Sequence, residues 1–195
     1  MATILFCDNN LRNLLNFRGD VINSYLSDGY RVILVAPSKG GWQPENSGLR
    51  WIPIKFSRSS MNPFKDAWYL CKLIMIYHRE RPDYVFHYTI KPNIYGSLAA
   101  KVCGIPSTAM IAGLGYVFEH KGLGSVIARW LYRFALQFSH KVLVLNSYNR
   151  DLVIEKHIAK PSQVILLSGG EGINLDKFKI DMRHEKISDD SKNSL

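Results

Sequence analysis

Alternation constrains this chain most: short apolar runs rich in β-branched residues take turns with stretches of helical period along most of the 195 residues. The runs predict strands at residues 3–7, 31–36, 50–54, 84–87, 107–111, 141–145 and 163–167. Helical spacing predicts helices at about 18–27, 62–80, 92–103, 123–139 and 148–157. Such alternation builds a parallel sheet covered by helices on both faces. The expected fold class is therefore α/β, a Rossmann-like parallel sheet of about seven strands. Asn62-Pro63 and Lys91-Pro92 place proline at the first helical position, where its missing N–H costs nothing. From residue 180 onward the sequence is polar, charged and aperiodic, so the folded unit is expected over 1–178, with 179–195 as a polar tail or linker stump.

Hydrophobic residues at 47% and charged residues at 21% give such a sheet enough core material and exclude a disordered or collagen-like chain. Cys7, Cys71 and Cys103 are odd in number and widely spaced, without C-x-x-C or a histidine at ligand spacing. No metal site, cofactor or disulfide framework is expected, and each cysteine reads as a small buried hydrophobe. The N-terminus enters strand 3–7 without a basic leader region, and the longest mostly apolar stretch, 67–77, is interrupted by Lys72. A cytoplasmic chain with only peripheral membrane contact is expected. The 25 Lys+Arg against 16 Asp+Glu, a formal net charge of +9, call for an anionic partner.

In a sheet of this kind the ligand crevice lies at the carboxyl ends of the strands. After the first strand there is no G-x-G-x-x-G, which removes the main support for a dinucleotide site. Arg18 and Gly19, expected near a helix start, either approach a phosphate with guanidinium and backbone N–H groups or are an ordinary exposed pair. Arg58 sits among Ser57, Ser59 and Ser60 just before Asn62, which suits an anion or simply an N-cap region. His87, Tyr88, Thr89, Lys91 and Asn93 crowd imidazole, hydroxyl, ammonium and amide at the opening of a helix. Lys91 at a helix N-terminus is disfavoured by the macrodipole unless an anion or a carboxylate balances it. The loop after the fifth strand carries Gly113, Gly115, Tyr116, Glu119 and His120, where glycine permits close backbone approach.

Taken together, FSRSSMNPF at 56–64, Arg81-Pro82-Asp83, TIKPN at 89–93, YGSLAAK at 95–101, GLGYVF at 113–118, Asn146 and GINLDKF at 172–178 resemble the N-terminal half of a family 4 retaining glycosyltransferase of the GT-B fold. The pattern is most similar to the bacterial enzymes that add N-acetylgalactosamine or related sugars to an undecaprenyl-diphosphate-linked saccharide in capsule, O-antigen or glycan assembly. The resemblance implies an acceptor-binding domain facing a second, donor-binding domain that carries the E-x₇-E motif. It also implies a UDP-sugar donor, and this chain alone is expected to be inactive. Two departures stand out: Ala112-Gly113 where many relatives carry a histidine, and Lys91 where many carry glutamate before Pro-Asn. His87, Glu119 and His120 are then catalytic candidates by position. Arg18, Gly19, Arg58, Thr89, Lys91, Asn93, Gly113, Gly115 and Tyr116 are the substrate-binding candidates.

The resemblance gives the charge a use, because a lipid-linked acceptor is an anion at a membrane surface. On helix 62–80 the core stripe is expected to be Phe64, Ala67, Trp68, Cys71 and Met75, leaving Lys65, Tyr69, Lys72, Ile76 and Arg79 outside. On helix 123–139 the expected core stripe is Leu123, Val126, Ile127, Trp130, Leu131, Phe134 and Phe138, leaving Arg129, Tyr132, Arg133 and Leu136 outside. These outer stripes are the expected face toward the inner side of the cell membrane. Two other readings differ in kind: a non-catalytic membrane-recruiting subunit of a split glycosyltransferase that pairs with a donor-binding partner, and a basic nucleic-acid-binding Rossmann module. Against the second, the cations are spread over several helices without a recognition helix or RNA-binding signature, so no nucleic-acid partner is expected.

Overall fold

A computed structural model describes residues 1–38, 49–56, 62–114 and 122–167. Seven strands, β1 (Thr3–Cys7), β2 (Arg31–Val35), β3 (Leu49–Ile52), β4 (Tyr84–Tyr88), β5 (Ser107–Ile111), β6 (Lys141–Val144) and β7 (Val164–Leu166), form one parallel sheet. Their spatial order is β3-β2-β1-β4-β5-β6-β7. The five α-helices of the described residues are α1 (Leu11–Ser27), α2 (Pro63–Glu80), α3 (Ser97–Cys103), α4 (Leu123–Leu136) and α5 (Ser147–Glu155). The order in which strands are added reverses between β1 and β4, and such a switch point is where a sheet of this kind places its ligand crevice, outside the carboxyl ends.

Alternate residues divide the core between the two faces. Ile4, Phe6, Val32 and Leu34 pack with Leu11, Leu14 and Ile22 of α1. Leu5, Cys7, Ile33, Val35 and Val85 pack on the opposite face with Tyr69, Leu73 and Tyr77 of α2 and Ala99 and Ala100 of α3. The same face continues across Ala109, Ile111, Val142 and Val144, covered by Tyr132, Ala135 and Leu136 of α4 and Val153 of α5. Right-handed crossovers account for this division, since β1 to β2 runs one way across the sheet and the later connections run the other.

The helix starts follow from local chemistry. Asn10 accepts from the Asn13 N–H, Asn62 from the Phe64 and Lys65 N–H groups, and Asn146 from the Asn149 N–H. Each supplies an acceptor to a first turn whose amides lack helical partners. Pro63 begins α2, and Pro92 begins a π-helical turn, Pro92–Gly96, that precedes α3. Helix α1 begins well before the expected residue 18, so Arg18 and Gly19 sit in its middle and present no N-terminal amides. Among the cysteines only Cys7 is fully buried, while Cys71 is exposed and Cys103 half-buried.

At the amino ends of the strands, Glu80 is nearly buried and binds three guanidinium groups, those of Arg31, Arg50 and Arg79, each at 2.9 Å. Burial alone would raise its carboxyl, but the hydrogen bonds from Arg79 and Arg31 and the charges of Arg50 and Arg79 win and hold it below the usual 4.5. Its stabilisation is therefore complete above about pH 4.5 and is lost as pH falls through the lower folded-state value. Glu80→Gln is expected to cost about 1.5–3 kcal/mol at neutral pH and to flatten the acid limb of the stability curve. Urea unfolding from pH 7 to pH 3 checks this, and parallel curves for the two proteins would contradict it.

Candidate functional site

The strand order brings to the switch point the turn after β1, the sheet-facing side of α1, the last residue of β4 and the turn after β5, where a sheet of this kind takes its ligand. Asp8 folds back at the end of β1, its Oδ1 accepting from the N–H groups of Asn9 and Asn10, which turns the chain directly into α1. Along α1, Arg18 faces the sheet, with its guanidinium carbon 4.8 Å from the Tyr88 ring centroid and Nη1 donating to the Phe17 carbonyl at 2.9 Å. A guanidinium seated on an aromatic face keeps its planar fork in one orientation, suited to phosphate oxygens. Thr89 follows Tyr88 at φ 70°, a left-handed backbone costly for a β-branched residue. Its Oγ1, like Asn9 Oδ1, is shielded from solvent and meets no hydrogen-bond partner among the described residues. Strain and unsatisfied polar atoms at a crevice are marks of a binding site. Gly113 is exposed just beyond β5, and a Cβ added there would meet nothing within 4 Å.

Several residues grouped together by the sequence are separated by the fold. His87 is fully buried beneath the sheet, where Tyr77 Oη lies 2.9 Å from its Nε2, and burial pushes it down to about 3. A neutral, inaccessible imidazole cannot serve a substrate in the crevice, so His87 is a core residue and not a catalyst. Lys91 is balanced by a carboxylate and not by a ligand phosphate: its Nζ meets Asp66 Oδ1 at 2.5 Å, and Asp66 Oδ2 accepts from the Tyr95 hydroxyl at 3.0 Å. The side chains of Lys91 and Asp66 keep only 11% and 14% exposure. Asn93 is buried as well, its Nδ2 donating to the Met110 carbonyl at 2.8 Å and to Tyr132 Oη at 2.9 Å, which ties the π-helical turn to β5 and α4. Burial lifts Tyr132 to about 12 against the lowering effect of that bond. The crevice thus keeps Arg18, Thr89 and Gly113, while Lys91 and Asn93 brace the layer of helices behind it. Arg58, Gly115, Tyr116, Glu119 and His120 lie outside the described residues.

Three contributors carried weaker sequence signals. Asp66 occupies the first turn of α2, where a carboxylate is ordinary, and only the fold brings it to Lys91. Tyr88 belongs to the polar cluster beyond the expected strand 84–87, and only the fold, which carries β4 through it, puts its ring on the α1 face. Asn9 looks like turn filler.

The stripes expected on α2 and α4 are inverted. Tyr69, Ile76 and Tyr132 are core residues at 0%, 8% and 2% exposure, not parts of an outer face, and Leu136 is buried with them. Phe64, Trp68, Cys71 and Met75, with Val126, Ile127, Trp130, Phe134 and Phe138, point outward instead. The cause is tyrosine: its ring fills the core while its hydroxyl finds partners in Cys7, His87 and Asn93, so the more polar stripe is the buried one. Lys65 and Arg133 are exposed, and Lys72 and Arg129 half-buried. Arg79 is engaged with Glu80.

A seven-stranded parallel sheet flanked by helices, with its strand order switching between β1 and β4, defines the Rossmann-like α/β class. Residues 19–170 match the glycosyl transferase 4-like domain, and the chain belongs to that family. It is 28% identical over 175 residues to the N,N'-diacetylbacillosaminyl-diphospho-undecaprenol alpha-1,3-N-acetylgalactosaminyltransferase of Campylobacter jejuni, covering 85% of this chain and 45% of the relative. It is 27% identical over 116 residues to the UDP-Gal:alpha-D-GlcNAc-diphosphoundecaprenol alpha-1,3-galactosyltransferase of Escherichia coli, covering 58% of this chain and 29% of the relative. The chain therefore spans less than half the length of these relatives. Among solved structures, the sucrose-phosphate synthase of Thermosynechococcus elongatus shares its fold with a TM-score of 0.64 at 11% identity, over 90% of this chain and 49% of that one. The UDP-GlcNAc 2-epimerase of Methanocaldococcus jannaschii does so with a TM-score of 0.61 at 13% identity, over 84% and 45%. The fold is one Rossmann-like half of the GT-B architecture.

Proposed function

We propose that residues 1–178 form the acceptor-binding domain of a retaining glycosyltransferase that moves a sugar from a UDP-sugar to a polyprenyl-diphosphate-linked saccharide. The observation that carries this reading is the likeness to the Campylobacter jejuni enzyme along 85% of the chain. The crevice supports it, since a guanidinium held over Tyr88 at the switch point suits the diphosphate of such an acceptor. Arg18, Thr89 and Gly113 would contact the acceptor or the donor phosphates, together with Arg58, Gly115 and Tyr116. Glu119 and His120 are the remaining catalytic candidates. The donor-gripping groups would stand on a second domain or partner, and the protein would work peripherally at the inner face of the cell membrane, where its acceptor resides.

The test is calorimetric titration of the 195-residue chain with a short-chain isoprenyl-diphosphate-linked saccharide. Binding is expected, and Arg18→Gln should weaken it tenfold to a hundredfold, the equivalent of about 1.5–3 kcal/mol for a charge-assisted bond. No transfer from UDP-sugars is expected of this chain alone, because transition-state stabilisation needs groups fixed on both sides of the new bond. Tight UDP-sugar binding without acceptor binding would overturn the reading.

A further inference from the structure

The outward stripes of α2, α3 and α4 make one surface. Helix α3 packs between the other two: Cys103 Sγ lies 3.7 Å from the Ile74 carbonyl of α2, and Lys101 Nζ lies 5.8 Å from the Phe138 ring centroid just beyond α4. Across that surface Phe64 is 85% exposed, Trp68 50%, Met75 60%, Val102 67% and Trp130 63%. The aromatic side chains are ordered against one another, with Trp130 stacked on Phe134 at 5.6 Å and Phe138 edge-on to Phe134 at 5.3 Å. Soluble surfaces rarely leave so contiguous an apolar patch uncovered.

The charge on this layer selects the partner. Helices α2, α3 and α4 hold six Lys and Arg residues, at positions 65, 72, 79, 101, 129 and 133, against two carboxylates, Asp66 and Glu80. Both carboxylates are turned inward and paired, with side chains 14% and 4% exposed. Among the described residues of these helices, the outer face therefore shows cations and aromatic rings and no exposed carboxylate. Lys72 lies over the Trp68 ring at 5.4 Å, a cation beside an aromatic side chain at the rim of the patch. A protein partner of ordinary composition offers Lys65, Lys72, Lys101 and Arg133 few matching carboxylates; an anionic bilayer supplies phosphates at the level of the cations and hydrocarbon just below. No helix of the described residues is long and apolar enough to cross a membrane, so the contact is in-plane. The stripe also reaches the first turns of α2 and α4, which follow from the carboxyl edge of the sheet where the crevice opens.

We propose that the outer face of α2, α3 and α4 seats the protein on an anionic lipid bilayer, with Phe64, Trp68, Trp130 and Phe134 entering the headgroup boundary. Lys65, Lys72, Lys101 and Arg133 meet the lipid phosphates. This rests on the reading that the acceptor is lipid-linked, and it changes the mode of attachment: the aromatic stripe inserts and the basic flank orients.

Flotation with vesicles of 30% phosphatidylglycerol in phosphatidylcholine tests it, alongside quenching of tryptophan fluorescence by lipids brominated along the chain. The parent chain should float, with quenching strongest for shallow bromines. Trp68→Gln with Trp130→Gln should reduce partitioning at least tenfold at every salt concentration. Replacing Lys65, Lys72, Lys101 and Arg133 by Gln should remove the preference for phosphatidylglycerol, about fivefold per cation near the surface. Val21→Ser and Tyr148→Ser, exposed apolar positions elsewhere, should change nothing. Absence of quenching in the parent, unchanged flotation of the tryptophan variant, or a dimer that Trp130→Gln dissociates would overturn the proposal. Binding of the short-chain acceptor analogue, measured on the same variants, separates the two readings. Analogue binding without flotation defeats only the bilayer face, and flotation without analogue binding defeats only the acceptor site.

Discussion

Asp66→Asn is expected to lower the melting temperature by about 10 °C. The substitution keeps the shape of the side chain but takes the carboxylate away from the Lys91 ammonium, whose side chain is only 11% exposed. Removing one partner of a mostly buried ion pair costs about 3–5 kcal/mol, and each kcal/mol moves the midpoint of a domain this size by roughly 2–4 °C. Lys91→Met should cost less, because Asp66 retains the Tyr95 hydroxyl at 3.0 Å and stands in the first turn of α2, where the helix dipole favours a carboxylate. The double variant should recover much of the loss, since it leaves neither charge unpaired. Thermal unfolding of the four proteins is the measurement. If Asp66→Asn melts within a degree of the parent, or if the two single losses simply add, the pair does not carry this load. The same series bears on the crevice: a Lys91 that served chiefly as a phosphate contact would tolerate methionine without loss of stability.

The architecture was legible because the signals for it are local. Strands β1 and β5 have the expected limits, and the others differ by a residue or two at their ends, where pairing and not propensity sets the boundary. The proline-started segments were legible too, since a proline at the first helical position acts on its own backbone. Helix α1 was not, because its first turn, Leu11 to Leu14, follows strand β1 after only three polar residues and depends on Asp8 turning the chain and on Asn10 accepting from the Asn13 N–H. The π-helical turn left no periodic trace. It is explained by packing: Gly96 closes on His87, and Asn93 reaches β5.

Which face of α2 and α4 is buried was the largest misreading, and its cause is general. Helices α2 and α4 carry apolar residues on two faces, and spacing cannot rank two stripes. The buried one held Tyr69, Tyr77 and Tyr132, which the polar ends of their side chains disguised. At the site, Arg18 was legible as a cation near the right strand end, but its seat on Tyr88 depends on α1 crossing back over the sheet. Lys91 was correctly seen to need a counter-charge. Asp66, the residue that supplies it, lies 25 positions away and became visible only in three dimensions.

Gly96→Ala is expected to be destabilising for a reason unrelated to backbone freedom, since the residue has ordinary helical angles. A Cβ there would lie 2.3 Å from His87 Cδ2 and 2.5 Å from Nε2. The ring cannot simply swing away, because Tyr77 holds it at 2.9 Å within the core. Overpacking of this kind costs roughly 1–3 kcal/mol, and the fixed ring puts this case at the upper end. In a His87→Ala background the added methyl has room, so Gly96→Ala should there be neutral or stabilising, and the coupling between the two substitutions should be large. The pH dependence gives a second readout. Burial holds His87 at about 3 against 6.5 in the unfolded chain, so between those values the unfolded state takes up a proton that the folded state refuses. Stability should then rise with pH across that window, by up to about 1.4 kcal/mol per unit, and level off above pH 6.5. His87→Ala should lack this component between pH 5 and 6.5, where Glu80 is already ionised. Equal losses from Gly96→Ala in both backgrounds, or identical pH slopes with and without His87, would place the imidazole in contact with solvent and return it to the list of groups able to meet a substrate.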